Sequence, residues 1–236
     1  MKKKVVLKIS GEAFCDTNSK YNTIWLQNIV TVIKKSLNNF HISIVVGGGN
    51  IWRKEDISIE QINQNDSDYL GMLATIMNGV VLKNFFLSNK IPSTLYSEVD
   101  ITKVVPSFNY QKVEKDFSEN KVCIFCAGIG HPFFSTDTNT ILKALEIGAD
   151  LVIFGKNNVD GVYDKDPQKF LDAKKYDLIS LTEIIDKKLK IIDLTAASLA
   201  LKGNFEIFFL NINKPENLEN FFFSKKVSFT KVINKG

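Results

Sequence analysis

Ile42-Ser43-Ile44-Val45-Val46-Gly47-Gly48-Gly49-Asn50 is an apolar run of strand length that stops at three consecutive glycines. The absence of polar alternation suits a strand covered on both faces. The glycines leave backbone N–H groups free to form an anion nest, and Arg53 just beyond can offer a bidentate fork to phosphate oxygens. Taken alone, the segment reads equally as a tight turn. It is not a Walker A loop, and Trp52 stands where a Rossmann fingerprint would carry its third glycine.

The same kind of run recurs on either side, at residues 5–10, 93–97, 121–127, 150–154 and 206–211. Segments of helical period separate these runs, the pattern of strand–helix–strand units around a mostly parallel sheet. Trp25, Ile29, Val32, Ile33 and Leu37 form one helical stripe; Tyr69, Leu73, Ile76, Val80 and Val81 form another, and both read as core faces, the second against the chain's own sheet or a partner subunit. Asp137 stands at the N-cap position of a helix over 138–146, Asp193 caps one over 194–200, and Ser180 with Glu183 makes a capping box. The Asp-Gly and Asp-Pro pairs between residues 157 and 175 predict a short hairpin.

With 236 residues, 44% of them hydrophobic and 24% charged, the chain has material for a sizeable core, and one domain over 1–236 is expected. A formal charge of +4 spread over scattered lysines predicts no nucleic acid partner. The basic opening Met1-Lys2-Lys3-Lys4 is followed by a run broken at Lys8, so no export signal is expected. No apolar stretch is read as approaching the roughly 20 residues that span a bilayer, so no membrane is expected and the cytoplasm is. Cys123 and Cys126 have C-x-x-C spacing but fall within a predicted strand, where residues three apart point to opposite faces. They read as buried structural cysteines, since Cys15, His41 and His131 lack the spacing of further zinc ligands.

Four segments gather Gly, Lys, Asp and hydroxyl residues at the carboxyl ends of predicted strands, where open α/β sheets bind ligands. Lys8-Ile9-Ser10-Gly11-Glu12 sets a lysine beside a glycine that lets a phosphate approach; a solvated strand end is the alternative. The glycine turn is the second. Gly128 to Asp137 runs from a strand end to a helix start, an arrangement that suits an anion, with Asp137 able to fix a lysine or Mg²⁺ as well as cap. Lys156 to Pro167 carries Tyr163 among amides and carboxylates, a combination able to cover an adenine.

In this order the segments resemble the amino acid kinase family. Asp68-Tyr69-Leu70-Gly71-Met72-Leu73-Ala74-Thr75-Ile76-Met77-Asn78-Gly79 narrows the resemblance to the branch that phosphorylates UMP, with a match from Lys8 to about Pro215. The resemblance implies a three-layer αβα sandwich around a mostly parallel central sheet. It implies ATP as donor, held by Lys8, Ile9, Ser10, Gly11, Gly49 and Arg53, with adenosine on Asn157, Tyr163 and Asp166. UMP falls to Gly48, Asp68 and the stretch Ile129, Gly130, His131, Pro132, Phe133, Phe134, Ser135 and Thr136. Lys8, Arg53 and Asp137 would do the chemistry, with Mg²⁺ arriving as MgATP and no dedicated protein metal site. Asp193 matches a family carboxylate near the ATP site and equally a plain helix cap.

A homohexamer under allosteric control is also implied. The chain departs from the family pattern at Ile129 and His131, where Thr and Asn are usual, and its loop over 14–22 lacks the glycine-containing segment tied to a GTP response. The alternatives are a carboxylate acceptor on the same fold, or a nucleotide sensor or oxyanion-storage protein without catalysis.

Overall fold

A computed structural model of the chain describes residues 2–54 and 61–234; Met1 of the basic opening lies outside the described residues. The predicted strands form as β1 (Lys3–Ile9), β2 (Phe40–Val46), β3 (Ser93–Ser97), β4 (Val122–Cys126), β5 (Leu151–Lys156) and, later in the chain, β9 (Glu206–Asn211). The predicted hairpin is β6 (Val162–Tyr163) paired antiparallel with β7 (Lys175–Tyr176). Two strands were not foreseen, β8 (Leu178–Ser180) and β10 (Phe229–Ile233). Both are short, and β10 alternates partly and fully buried residues instead of forming an apolar run.

Among the described residues the main sheet has eight strands in the order β3-β4-β2-β1-β5-β9-β10-β8. Every neighbouring pair is parallel except β9 with β10. β1 lies between β2 and β5, so the chain leaves it in one direction and returns on the other side. That arrangement opens a crevice at the carboxyl ends of these three strands.

The helices are α1 (Thr23–Ser36), α2 (Gln64–Ser88), α3 (Tyr110–Ser118), α4 (Thr136–Glu146), α5 (Leu181–Asp186), α6 (Leu194–Ala200) and α7 (Pro215–Phe222). Each sheet face has its own core. Val5, Leu7 and Ile9 of β1 pack with residues of α1, α2 and α7, whereas Val6 packs with residues of α3, α4, α5 and α6. Cys126 belongs to the first core and Cys123 to the second, as the strand period requires. By the same period Lys8 follows Val6 onto the α4 side.

The capping box at Ser180–Glu183 and the Asp193 cap form as expected. α4 does not. Its cap is Ser135, whose Oγ accepts from the backbone N–H of Thr138, and the helix starts two residues early with Asp137 inside its first turn.

The α1 stripe is buried throughout. In α2 only Ile76 of the predicted stripe is fully buried; the inward side is Met72, Thr75, Asn78, Gly79, Leu82 and Phe86, while Tyr69 and Leu73 are exposed. Glycine and small polar residues face the sheet because the helix there approaches closely: a Cβ on Gly79 would collide with Leu95. α2 also corrects the bilayer reading, since an 18-residue window within it has a mean hydropathy of 1.5 and is long enough to cross a membrane. About half of that window (44%) is buried inside the molecule, against β3 and β4 among others.

Candidate functional site at the carboxyl edge of the sheet

Parallel pairing of β1 with β2 and β5 brings Lys8 level with Val45 and Phe154, so the loops after all three strands meet. The loops touch at the backbone. Gly47 N–H donates to the Ile9 carbonyl at 2.8 Å, and a Cβ on Gly11 would strike the backbone of Gly48 and Gly49. Ser10 Oγ donates to the Gly155 carbonyl at 3.1 Å, tying in the third strand. Backbone and a hydroxyl form the seam itself, with the Glu12 carboxylate lying against Gly49 at its edge.

Lys8 and Lys156 stand on either side of Asp137. Lys8 Nζ lies 3.2 Å from Asp137 Oδ1 and Lys156 Nζ 3.6 Å from Oδ2, all three side chains being largely buried. Burial opposes ionisation of Asp137, but the two ammoniums, Lys8 first, outweigh it and hold the carboxyl below the usual carboxylate range. Burial pushes the Lys156 ammonium below the usual lysine range, with Asp137 only partly opposing. Two lysines thus share one carboxylate in a poorly solvated place, with Asp193 also acting on Lys156, and an anion brought there would gain from both lysines. Lys156 also donates to the Ile191 carbonyl at 2.6 Å. Lys156 ends β5 just as Lys8 stands near the end of β1, the one signal it offers in the sequence.

The glycine turn is held from below by α2. Asn78, fully buried, donates to the Gly47 carbonyl and to Asn50 Oδ1, each at 2.7 Å. A Cβ on Gly48 would lie 2.8 Å from Ala74 Cβ and 2.9 Å from the Gly71 carbonyl, so no side chain fits there. Arg53 donates from Nε to the Gly49 carbonyl at 2.7 Å and pairs with Glu12 at 3.2 Å. It is half-exposed and available at the rim.

Beyond the turn lies a cavity of about 560 Å³ walled by Gly48, Trp52, Asp68, Thr75, Phe134 and Ser135, among others. Asp68 accepts from Gln64 Nε2 at 2.8 and 2.9 Å and from the backbone N–H of Phe133 at 2.7 Å. Of the stretch 129–136, Phe134, Ser135 and Thr136 line the cavity, Phe133 reaches it through that N–H, and the His131 side chain is exposed. Ala127, Gly128, Gly130 and Phe133 all have positive φ, so the loop coils tightly; Thr75 Oγ1 accepts the Ala127 N–H at 2.7 Å. Trp52, Thr75, Asn78 and Gln64 stand at the site without the glycine or charge that marks its other members in the sequence. Thr75 and Asn78 stood in the helix fragment that carried the resemblance, yet period alone made them ordinary helix positions.

Tyr163 and Asp166 line a second cavity of about 430 Å³, together with Val159, Gly161, Leu189 and Ile191. Tyr163 donates to Asp160 at 2.7 Å. Asn157, expected beside them, lines a different cavity with Glu12, Cys15 and Asn22, and its buried Oδ1 lacks a hydrogen-bond partner. Asp193 caps α6 and also accepts from Ser135 and Thr138, joining the starts of α4 and α6. Among the described residues no group of three or more His, Cys, Asp or Glu side chains could hold a metal ion.

Residues 3–211 match the model of the amino acid kinase family. A uridylate kinase of Mycoplasmopsis pulmonis is 39% identical, covering 99% of this chain and 98% of its own. One from Mycoplasma capricolum is 41% identical over 92% of each. The crystal structure of UMP kinase from Ureaplasma parvum superposes with a TM-score of 0.93 at 32% identity, covering 98% of this chain and 99% of that one.

Proposed function

Because this chain belongs to the amino acid kinase family, we propose that it is a UMP kinase, transferring the terminal phosphoryl group of ATP to UMP in pyrimidine nucleotide synthesis. The observation that carries the reading is the Lys8–Asp137–Lys156 cluster at the strand ends, next to a glycine turn whose Gly48 and Gly49 line a cavity with Asp68 in its wall. The whole chain acts as one amino acid kinase-type domain, in the cytoplasm.

ATP phosphates rest on Lys8, Ile9, Ser10, Gly11 and Gly49, with Arg53 swinging in from the rim. Adenosine takes the Tyr163–Asp166 cavity, and Asn157 faces the phosphate end from its own side. UMP takes the larger cavity: Gly48 lies against its phosphate, residues 129–136 wrap it, and Asp68 accepts from the ribose hydroxyls. Those hydroxyls would replace the Gln64 amide now seated on both carboxylate oxygens.

The acceptor oxygen belongs to a phosphate already ionised near neutral pH, so no general base is needed. One P–O bond forms to UMP as the bond to ADP breaks. The obstacle is charge: two unit charges about 4 Å apart at an effective dielectric near 20 repel by about 4 kcal/mol. Lys8, Lys156, Arg53 and the glycine N–H groups offset that repulsion and stabilise the equatorial oxygens. Asp137 holds both ammoniums in place. Magnesium would be carried by the nucleotide phosphates, and the protein oxygen left open to it would be Asp137 Oδ1, buried and without an aligned hydrogen bond despite its nearness to Lys8. Bound there, it would supply further charge neutralisation on the phosphates.

A homohexamer completes the reading, with the exposed apolar residues of α2, Tyr69, Leu73, Met77 and Leu87, as one buried surface. The deciding measurement is a coupled ADP assay with UMP, CMP, dUMP and acyl acceptors, with and without EDTA. UMP should be strongly preferred, Asp68→Asn should chiefly raise the UMP requirement, and EDTA should abolish turnover. ADP formation driven by an acyl acceptor, or none with UMP, would overturn the proposal.

A further inference from the structure

Lys143 on α4 is almost completely buried, 1% exposed, two turns beyond Asp137 and apart from the phosphate site. An ammonium removed from water costs several kcal/mol unless every donor is matched. Here all are. Nζ pairs with Glu98, pairs with Glu146 at 2.6 Å, and lies 3.4 Å from the centroid of the Phe108 ring. Three N–H groups thus meet two carboxylates and an aromatic face. The carboxylates keep partial access to water, 24% and 34% exposed, so their outer oxygens stay hydrated while the lysine is sealed beneath.

Glu98 follows β3 directly, at the start of an excursion whose ends are pinned by Ser97. Ser97 N–H donates to the Pro106 carbonyl and Phe108 N–H to the Ser97 carbonyl, at 3.0 and 2.9 Å. Lys143 therefore grips both ends of this excursion, Glu98 by charge and Phe108 by its ring. The Glu98 backbone in turn supports the acceptor loop: where a Cβ on Gly130 would stand, the Glu98 carbonyl oxygen is 3.0 Å away and Glu98 Cβ 3.3 Å. Gly130 sits at φ +78°, and three residues later the Phe133 N–H reaches Asp68.

We propose that Lys143 is a positioning residue for the acceptor: through Glu98 it fixes the loop at Gly130 and thereby the Phe133–Asp68 contact at the UMP cavity. The proposal rests on the reading of that cavity as the UMP site. A buried pair of this kind is poor evidence of stabilisation as such, since well-packed apolar residues do as well or better. Its placement under one substrate loop gives it a selective consequence.

The test uses the full chain with Lys143→Met and Glu98→Ala, measuring UMP affinity by calorimetry without ATP, KM for each substrate, and Tm. In Glu98→Ala the lysine keeps Glu146, so folding is retained even if Lys143→Met fails to fold, and Glu98→Ala then decides. UMP affinity should fall about five- to tenfold in the folded variants while KM for ATP changes by less than about twofold. Unchanged UMP affinity, or an equal loss for both substrates, would overturn the proposal while leaving UMP phosphorylation by the wild type untouched. A wild-type chain that does not phosphorylate UMP would instead defeat the functional reading.

Discussion

At the level of single residues, the decisive fact is that one carboxylate is shared by two ammoniums. Asp137 ionises more readily than usual because Lys8, the stronger of its two partners, is close. A carboxyl whose folded pKa lies below the ordinary 3.8 adds stability that is present above 3.8 and disappears as pH falls through the lower folded value. Lys8→Ala removes the main opposition to burial, so that loss should begin at higher pH. Acid unfolding followed by circular dichroism should shift upward in pH, and turnover should drop by about 10²- to 10³-fold with little change in UMP affinity. Near-normal turnover would remove Lys8 from the chemistry. The placement of Lys8 and of the three glycines at strand ends was legible from sequence, because an apolar run that stops at a charge or at glycine marks its own end. The pairing of Lys156 with Asp137 was not, because it depends on which strands become neighbours of β1. Nor was the separation of Asn157 from Tyr163, between which the chain bends at Asn158 with φ +60°.

At the level of elements, α2 does two jobs with two faces. Its inner face supports the glycine turn with Gly71, Ala74 and Asn78, and its small residues are there for clearance. Gly48→Ala puts a methyl into the 2.8 Å gap to Ala74, pushing helix and turn apart. The expected cost is about 1–3 kcal/mol of stability together with a raised KM for UMP, measurable by thermal unfolding and steady-state kinetics. Wild-type values for both would show that the turn moves freely on the helix. The outer face explains why periodicity misled: Tyr69 and Leu73 are apolar and regularly spaced, yet they point away from the sheet. A pattern reports that a face is covered and is silent about what covers it. The shift of the α4 cap from Asp137 to Ser135 has a similar origin, because both residues are good caps and only the loop path selects between them.

At the level of the whole molecule, the alternation of runs and helices was enough to foresee a mostly parallel sheet with helices on both sides, while β8 and β10 lacked the apolar runs that betray central strands. The exposed apolar side of α2 sets an expectation for assembly. Light scattering should give six times the mass of the chain, and Leu73→Asp with Met77→Asp should lower it; a wild-type monomer would refute the hexamer. β10 has a consequence of another kind. Thr230 accepts the Val162 N–H at 2.8 Å and donates to the Tyr176 carbonyl, so a strand near the end of the chain fastens both sides of the β6–β7 hairpin. During synthesis the glycine turn and the lysines emerge from the ribosome well before that strand. A growing polypeptide thus brings its glycine turn and lysines together early, whereas the hairpin that lines the Tyr163 cavity is fastened only after β10 has followed.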